Sequence, residues 1–160
     1  MIKNLFLILS AFFFIINNSI AKKDLPVPRF ASIKSGHVNV RTGPNVRYPI
    51  KWVFIEKNEP IEVIAEFEQW RKIKDIEAQE GWVHESMLTG KRFAIITSSN
   101  TQIIYKNPDI TSYKIVKIES KVRVRLDKCK LDWCRINVND YQGWIKKDFL
   151  WGVYKNEEYK

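Results

Sequence analysis

Gly81-Trp82-Val83-His84-Glu85-Ser86-Met87-Leu88 decides how the chain is read, because the arrangement returns as Gly143-Trp144-Ile145-Lys146-Lys147-Asp148-Phe149-Leu150. In each copy a glycine precedes a tryptophan and a β-branched residue, a short polar turn follows, and a leucine closes the segment. A tryptophan and a hairpin come before each: Trp70 with Ile73 before the first, Trp133 with Ile136 before the second. Further upstream, Arg92-Phe93-Ala94-Ile95-Ile96 echoes Arg29-Phe30-Ala31-Ser32-Ile33. Trp133 stands 63 residues after Trp70. A repeat of that length is too long for a solenoid unit and suits a duplicated small domain.

Between these landmarks the chain alternates. Val38 and Val40 share one strand face, and Lys51 to Ile55, Ile61 to Ala65 and Trp70 to Lys74 are further short runs separated by turn residues such as Thr42-Gly43-Pro44-Asn45 and Lys57-Asn58-Glu59-Pro60. The composition is 45% hydrophobic and 13% aromatic, which is globular and excludes a disordered chain. No sustained helical periodicity follows the first twenty residues. About five short, closely spaced strands per unit predict a small barrel. The expected fold is all-β: one barrel over residues 29–91 and a second over 92–155. Only Thr89-Gly90-Lys91 joins them, which predicts that they touch.

The first residues read differently. Lys3 precedes an apolar run from Leu5 to Ile16, and Ser19-Ile20-Ala21 places small residues before a cleavage point. This is the pattern of a secretory signal over residues 1–21, and its apolar run is too short for a spanning helix. Residues 22–28, with Pro26 and Pro28, read as an extended tether. The chain is therefore expected to be exported, to the periplasm. Its formal charge is +9, unevenly spread. Residues 29–91 carry ten Lys and Arg against nine Asp and Glu, whereas residues 92–155 carry thirteen against six. A basic second unit invites an anionic partner. Export argues against nucleic acid and leaves an anionic polymer or an acidic lipid surface.

His37-Val38-Asn39-Val40-Arg41-Thr42-Gly43-Pro44, opening a unit that closes on Trp70, Ile73 and Gly81-Trp82-Val83, resembles the bacterial SH3 domain family (SH3b). The match covers about sixty residues of the first unit. In the second, Thr101-Gln102-Ile103-Ile104-Tyr105-Lys106-Asn107-Pro108 replaces the opening motif, while the closing half is kept through Leu150-Trp151-Gly152-Val153-Tyr154. That tail resembles tandem SH3b proteins exported by Gram-negative bacteria. The resemblance implies two SH3-like barrels in tandem and a binding role toward cell-wall peptide or an envelope protein. An accessory protein whose barrels hold a partner protein is the other role it allows. By the same resemblance, Tyr48 in the loop after the first strand and Trp70 on the middle strand would border the ligand groove.

Four residues separate Cys129 from Cys134, a spacing that fits neither redox nor zinc motifs. In an exported chain, flanking a tight turn, they are expected to form a disulfide worth about 2 kcal/mol. With both thiols paired and His37 and His84 in the other unit, a Cys-His catalytic pair is not expected. No enzyme activity, cofactor or metal is expected. Trp82 and Trp144 are read as packed into the barrels, and Trp70 and Trp133 as half exposed. Lys121, Arg123 and Arg125 alternate with Val122, Val124 and Leu126, so a strand would align the three cations as a basic stripe open to an anionic ligand.

Overall fold

The computed structural model describes residues 25–160. The expected signal at 1–21 and the start of the tether lie outside the described residues. The first seven strands are β1 (Arg29–Ile33), β2 (Val38–Arg41), β3 (Ile50–Phe54), β4 (Pro60–Phe67), β5 (Trp70–Lys74), β6 (Glu80–His84) and β7 (Leu88–Thr89), with a 3₁₀ turn at Glu85–Met87 before β7. The next seven are β8 (Phe93–Ile96), β9 (Gln102–Tyr105), β10 (Lys114–Ile118), β11 (Arg123–Lys130), β12 (Trp133–Val138), β13 (Tyr141–Lys146) and β14 (Leu150–Trp151), again with a 3₁₀ turn, Lys147–Phe149, before the last. The sheet orders are β3-β2-β6-β5-β4-β1-β7 and β10-β9-β13-β12-β11-β8-β14. They match strand for strand, so the sequence repeat is a structural repeat. Among the described residues the architecture is all-β.

Each unit has its own core of β-branched side chains. Ile33, Val38, Val40, Ile61, Val63, Ile73 and Val83 fill the first. Ile96, Ile104, Val124, Ile136 and Ile145 fill the second, together with the two cysteines. Each such side chain contributes about 1.5–3 kcal/mol by leaving water. Alternation then corrects the expectation for one of the signature tryptophans. Val83 and Ile145 point inward, so Trp82 and Trp144 take the opposite face of their strands; Trp82 is only half-buried there, whereas Trp144 is buried as expected, outside the main cluster. Trp82 is paired across the sheet with Lys72 and Arg41, and Trp144 with Arg135 and Tyr105. The Lys130 ammonium lies 5.3 Å from the centre of the Trp144 ring.

What enters the barrel at this point is the absence of a side chain. A Cβ on Gly81 would fall 2.4 Å from Val40 Cγ1, and one on Gly143 would fall 2.6 Å from both Ile104 Cγ2 and Tyr105 O. Glycine lets β6 cross close over β2, and β13 over β9, which closes each barrel.

Cys129 and Cys134 face each other across the β11–β12 hairpin and form a disulfide. The tail then returns to this hairpin. Cys129 N donates to Tyr159 O at 2.7 Å, and Tyr159 N donates back to Cys129 O at 3.1 Å. The buried Lys147 ammonium donates to Lys155 O and Glu157 O at 3.1 and 2.8 Å. Arg92, 8% exposed, donates to both carboxylate oxygens of Glu157 and to Gly152 O. Burial alone would raise the Glu157 carboxyl. The Arg92 hydrogen bonds, the Tyr154 amide and the nearby Lys147 outweigh it and hold the group below its ordinary value of 4.5. A carboxylate depressed in the folded state adds stability above its unfolded pKa and loses it as pH falls through the folded one. Glu157→Gln is therefore expected to cost about 1.5 kcal/mol at neutral pH. Urea midpoints measured down the acid limb should show the variant and the wild type converging below pH 4.5.

The two units are in contact, as the short join predicts. Phe93 N donates to the buried Ser32 Oγ at 3.2 Å, and Tyr154 OH donates to Glu62 Oε1 at 2.7 Å. The Phe30 ring packs edge-on to Trp151 at 5.3 Å and tilted on Tyr154 at 4.7 Å. Burial, and then the Glu62 carboxylate, push the Tyr154 phenol well above its usual range, so it remains a donor at every physiological pH.

Candidate ligand-binding grooves

The loop between β2 and β3 is shaped by its own side chains. Asn45 Oδ1 accepts from Arg47 N at 3.0 Å, Asn45 O accepts from Tyr48 N at 3.2 Å, and Thr42 N donates to Pro49 O at 3.0 Å. The first is an Asx-turn bond and the other two are backbone bonds, and together they fix a tight loop without help from a sheet. The Tyr48 ring lies flat against Gly43, where a Cβ would come within 2.6 Å of it. Arg41 Nη1 donates to Tyr48 O at 2.8 Å and anchors the same residue from the strand. Tyr48 is thus held in place while 46% exposed.

Tyr48 shares a cleft with Phe67, the last residue of β4, which is 52% exposed. Pro44, Asn45, Arg47, Tyr48 and Phe67 line an open cleft of about 450 Å³. Two aromatic faces, a proline and one cation, with no carboxylate in the lining, make a surface for stacking and for an anionic or polar group beside it. Trp70 does not line this cleft. It pairs with Phe67 across the hairpin, is 8% exposed and packs edge-on to the His84 ring at 5.5 Å. The expected half exposure is overturned for Trp70, although Trp133 is half-buried as expected. Phe67 was not singled out from the sequence. Its signal is that Ile61, Val63 and Ala65 continue to an apolar residue at the hairpin tip, beyond the last core position.

The second unit keeps the loop after losing the motif. Asp109 Oδ1 accepts from Thr111 N at 2.8 Å, Asp109 O accepts from Ser112 N at 3.1 Å, and Lys106 N donates to Tyr113 O at 2.9 Å. These repeat the bonds around Asn45 one by one. The Thr111 hydrogen bonds, backbone first, hold the Asp109 carboxyl below its usual range. Serine replaces the tyrosine at the loop's aromatic position, and Lys130 replaces Phe67 opposite the tryptophan, so the aromatic cleft of the first unit has no copy here.

A model of the bacterial SH3 domain matches residues 34–90 and again residues 98–152. The chain belongs to the bacterial SH3 domain family. It is 24% identical over 130 residues to a Bacillus subtilis (strain 168) protein described as "Putative N-acetylmuramoyl-L-alanine amidase YrvJ", a match covering 75% of this chain and 25% of that protein. Among solved structures it is similar to NlpC2 from Trichomonas vaginalis, at 13% identity and a TM-score of 0.36, over 80% of this chain and 49% of that one. It is also similar to an NlpC/P60 family protein from Bacillus cereus ATCC 10987, at 16% identity and a TM-score of 0.34, over 76% and 55% of the two chains. The chain therefore spans a quarter of the curated relative's length and about half of these structures.

The basic stripe does not form an open face on the second SH3 unit. Lys121 lies in the turn before β11, at a φ of 65°, so it is off the strand altogether. Arg123 reaches back to the first SH3 unit, where Nη1 meets Glu56 Oε2 at 3.0 Å and Nη2 meets Glu59. Arg125 pairs with Asp127 at 3.0 Å. The chain supplies the counter-charges for the two strand cations itself. A groove of about 640 Å³ also runs along the seam between the SH3 units, past Phe30, Leu88 and Tyr159. Its cations are paired too: Arg29 and Arg71 with Glu66, Arg71 with Glu85, and Arg92 with Glu157.

Proposed function

We propose that this protein is an exported, non-enzymatic binding module of the bacterial envelope. It recognises cell-wall peptide, or another envelope ligand of that chemistry, through the cleft of its first SH3 unit. The observation that carries the proposal is the pair of exposed aromatics, Tyr48 and Phe67, held by an Asx-bonded loop and a hairpin tip at one end of a rigid barrel. Exposed aromatics that share one cleft, and so form a patch, mark interaction sites more often than single exposed side chains do. Trp70 acts in this proposal from behind, as the buried support of the hairpin that presents Phe67. The relative described as an amidase supports a cell-wall ligand, since this chain matches a quarter of that protein within a family of binding domains. A role without chemistry fits both cysteines being committed to the disulfide.

Co-sedimentation with purified peptidoglycan sacculi tests the proposal. The wild-type protein should pellet with sacculi stripped of protein by protease treatment. Binding that disappears on protease treatment would assign the groove to a partner protein instead.

A further inference from the structure

The second unit has a cleft of its own at a different place. β9 and β13 pair at one position, Tyr105 with Trp144, and then part. The space they leave, about 230 Å³, is bordered by Ile103, Tyr105, Ile110, Trp133, Phe149 and Lys146, among others. Its floor is aromatic: the Tyr105 and Trp133 rings meet edge-to-face with centroids 5.8 Å apart. Over that floor stands the Lys146 ammonium, 5.8 Å from the centre of the Trp133 ring. Among the described residues Lys146 has no ion-pair partner.

The equivalent corner of the first unit is closed. Arg41 stands where Tyr105 does, each opposite the signature tryptophan, and its guanidinium is bound to the Tyr48 carbonyl. Trp70 and His84 occupy the pairing position of Trp133 and Lys146, and Trp70 is buried. One framework thus carries a filled corner in one unit and an open one in the other. The open one exchanges an occupied arginine for a tyrosine and a histidine for an unpaired lysine.

The chemistry of the corner narrows its ligand. One ammonium beside a small apolar floor matches a single negative charge next to a small apolar group, whereas a polyphosphate or an acidic lipid surface calls for several cations. The volume holds one or two amino-acid residues. The parting of β9 from β13 leaves a strand edge along which an extended backbone can lie. A chain end satisfies all three conditions at once. We propose that the second unit captures the C-terminal residues of a peptide, with the α-carboxylate on Lys146 Nζ and a small terminal side chain against Tyr105 and Trp133. This site is separate from the cleft at Tyr48 and Phe67 and stands or falls independently of it.

The test is a titration of the ¹⁵N-labelled full chain with three probes: acetyl-Ala-Ala with a free carboxylate, its C-terminal amide, and acetyl-Glu-Ala amide, which carries the charge on a side chain. The expected result is that the free acid shifts the Trp133 indole and the Tyr105 and Lys146 amides, while both amides bind about tenfold more weakly, as for the loss of one charge-assisted contact. Lys146→Met keeps the aliphatic stem over Trp133 and should bring the acid down to the affinity of its amide. The wild-type comparison of acid with amide decides the matter even if that variant fails to fold. Equal binding of acid and amide, equal binding of the glutamyl amide, or no shift at these residues at about 20 mM probe would overturn the proposal. Shifts at Tyr48 and Phe67 in the same spectra report on the other cleft separately.

Discussion

Gly143→Ala is expected to lower stability by about 3 kcal/mol, the upper part of the usual range for overpacking. The added methyl would sit 2.6 Å from Tyr105 O, 2.6 Å from Ile104 Cγ2 and 2.9 Å from Ile115 Cδ1. A side chain at the end of a flexible stem could swing away, but a backbone carbonyl in a strand cannot. The collision also falls next to the one paired position that joins β9 to β13, so relief means opening the barrel. Gly81→Ala should cost less, because its sharpest contact is a valine methyl and the Arg41 carbonyl is 3.1 Å away. Gly90→Ala serves as the control: a Cβ there has nothing within 4 Å, and a surface change of that kind stays within about 0.5 kcal/mol. Urea midpoints of the three variants give the order. A Gly143→Ala protein as stable as Gly90→Ala would show that the glycine is not what closes the barrel.

Replacing Cys129 and Cys134 together by Ala should cost about 2–4 kcal/mol. The chain-entropy term for so short a loop is about 2 kcal/mol. The rest comes from the two cysteine side chains, residues that are 2% and 0% exposed within the second core, whose sulfur atoms would leave space behind. Reducing the wild-type protein without mutation removes the first contribution and not the second, so the two can be read apart. The β11–β12 register, and with it the bridge to Tyr159, should survive in the hydrogen-exchange pattern. Two freely alkylated thiols in the native protein would contradict the account of this hairpin.

Much of the architecture was legible because it rests on local rules that are written twice. The Gly-Trp segments, the strand alternation and the turn residues each predict the same element in both units, and the sheets match strand for strand. The disulfide was legible because a tight turn between two cysteines leaves a hairpin little alternative. Side-chain exposure was less legible, since it depends on which residues lie opposite. Trp70 and Lys72 alternate as if to share an outer face, yet Trp70 is covered by its contact with His84 and by the hairpin end. Trp82 reads as core because it stands between a glycine and a β-branched residue, but the period of two gives the inner face to Gly81 and Val83. The basic stripe failed for a non-local reason. Glu56 and Glu59 lie more than sixty residues before Arg123, and no periodicity within β11 could reveal them. Phe67 was missed because an apolar residue at a hairpin tip gives no motif, only a violation of the expected polarity.

The measurement that bears most directly on the account is the binding of a Tyr48→Ala, Phe67→Ala double variant to purified sacculi at low and at high salt. Both side chains are about half exposed, so truncating them leaves the core intact and the circular dichroism spectrum should not change. Paired aromatic anchors carry about 2 kcal/mol or more each when a ligand covers them. Stacking is also not screened, whereas interactions between exposed charges fade over about 8 Å at physiological salt. The folded double variant is expected to bind at least about tenfold more weakly than wild type at every salt concentration. A folded double variant that pellets with sacculi as the wild type does would contradict that expectation.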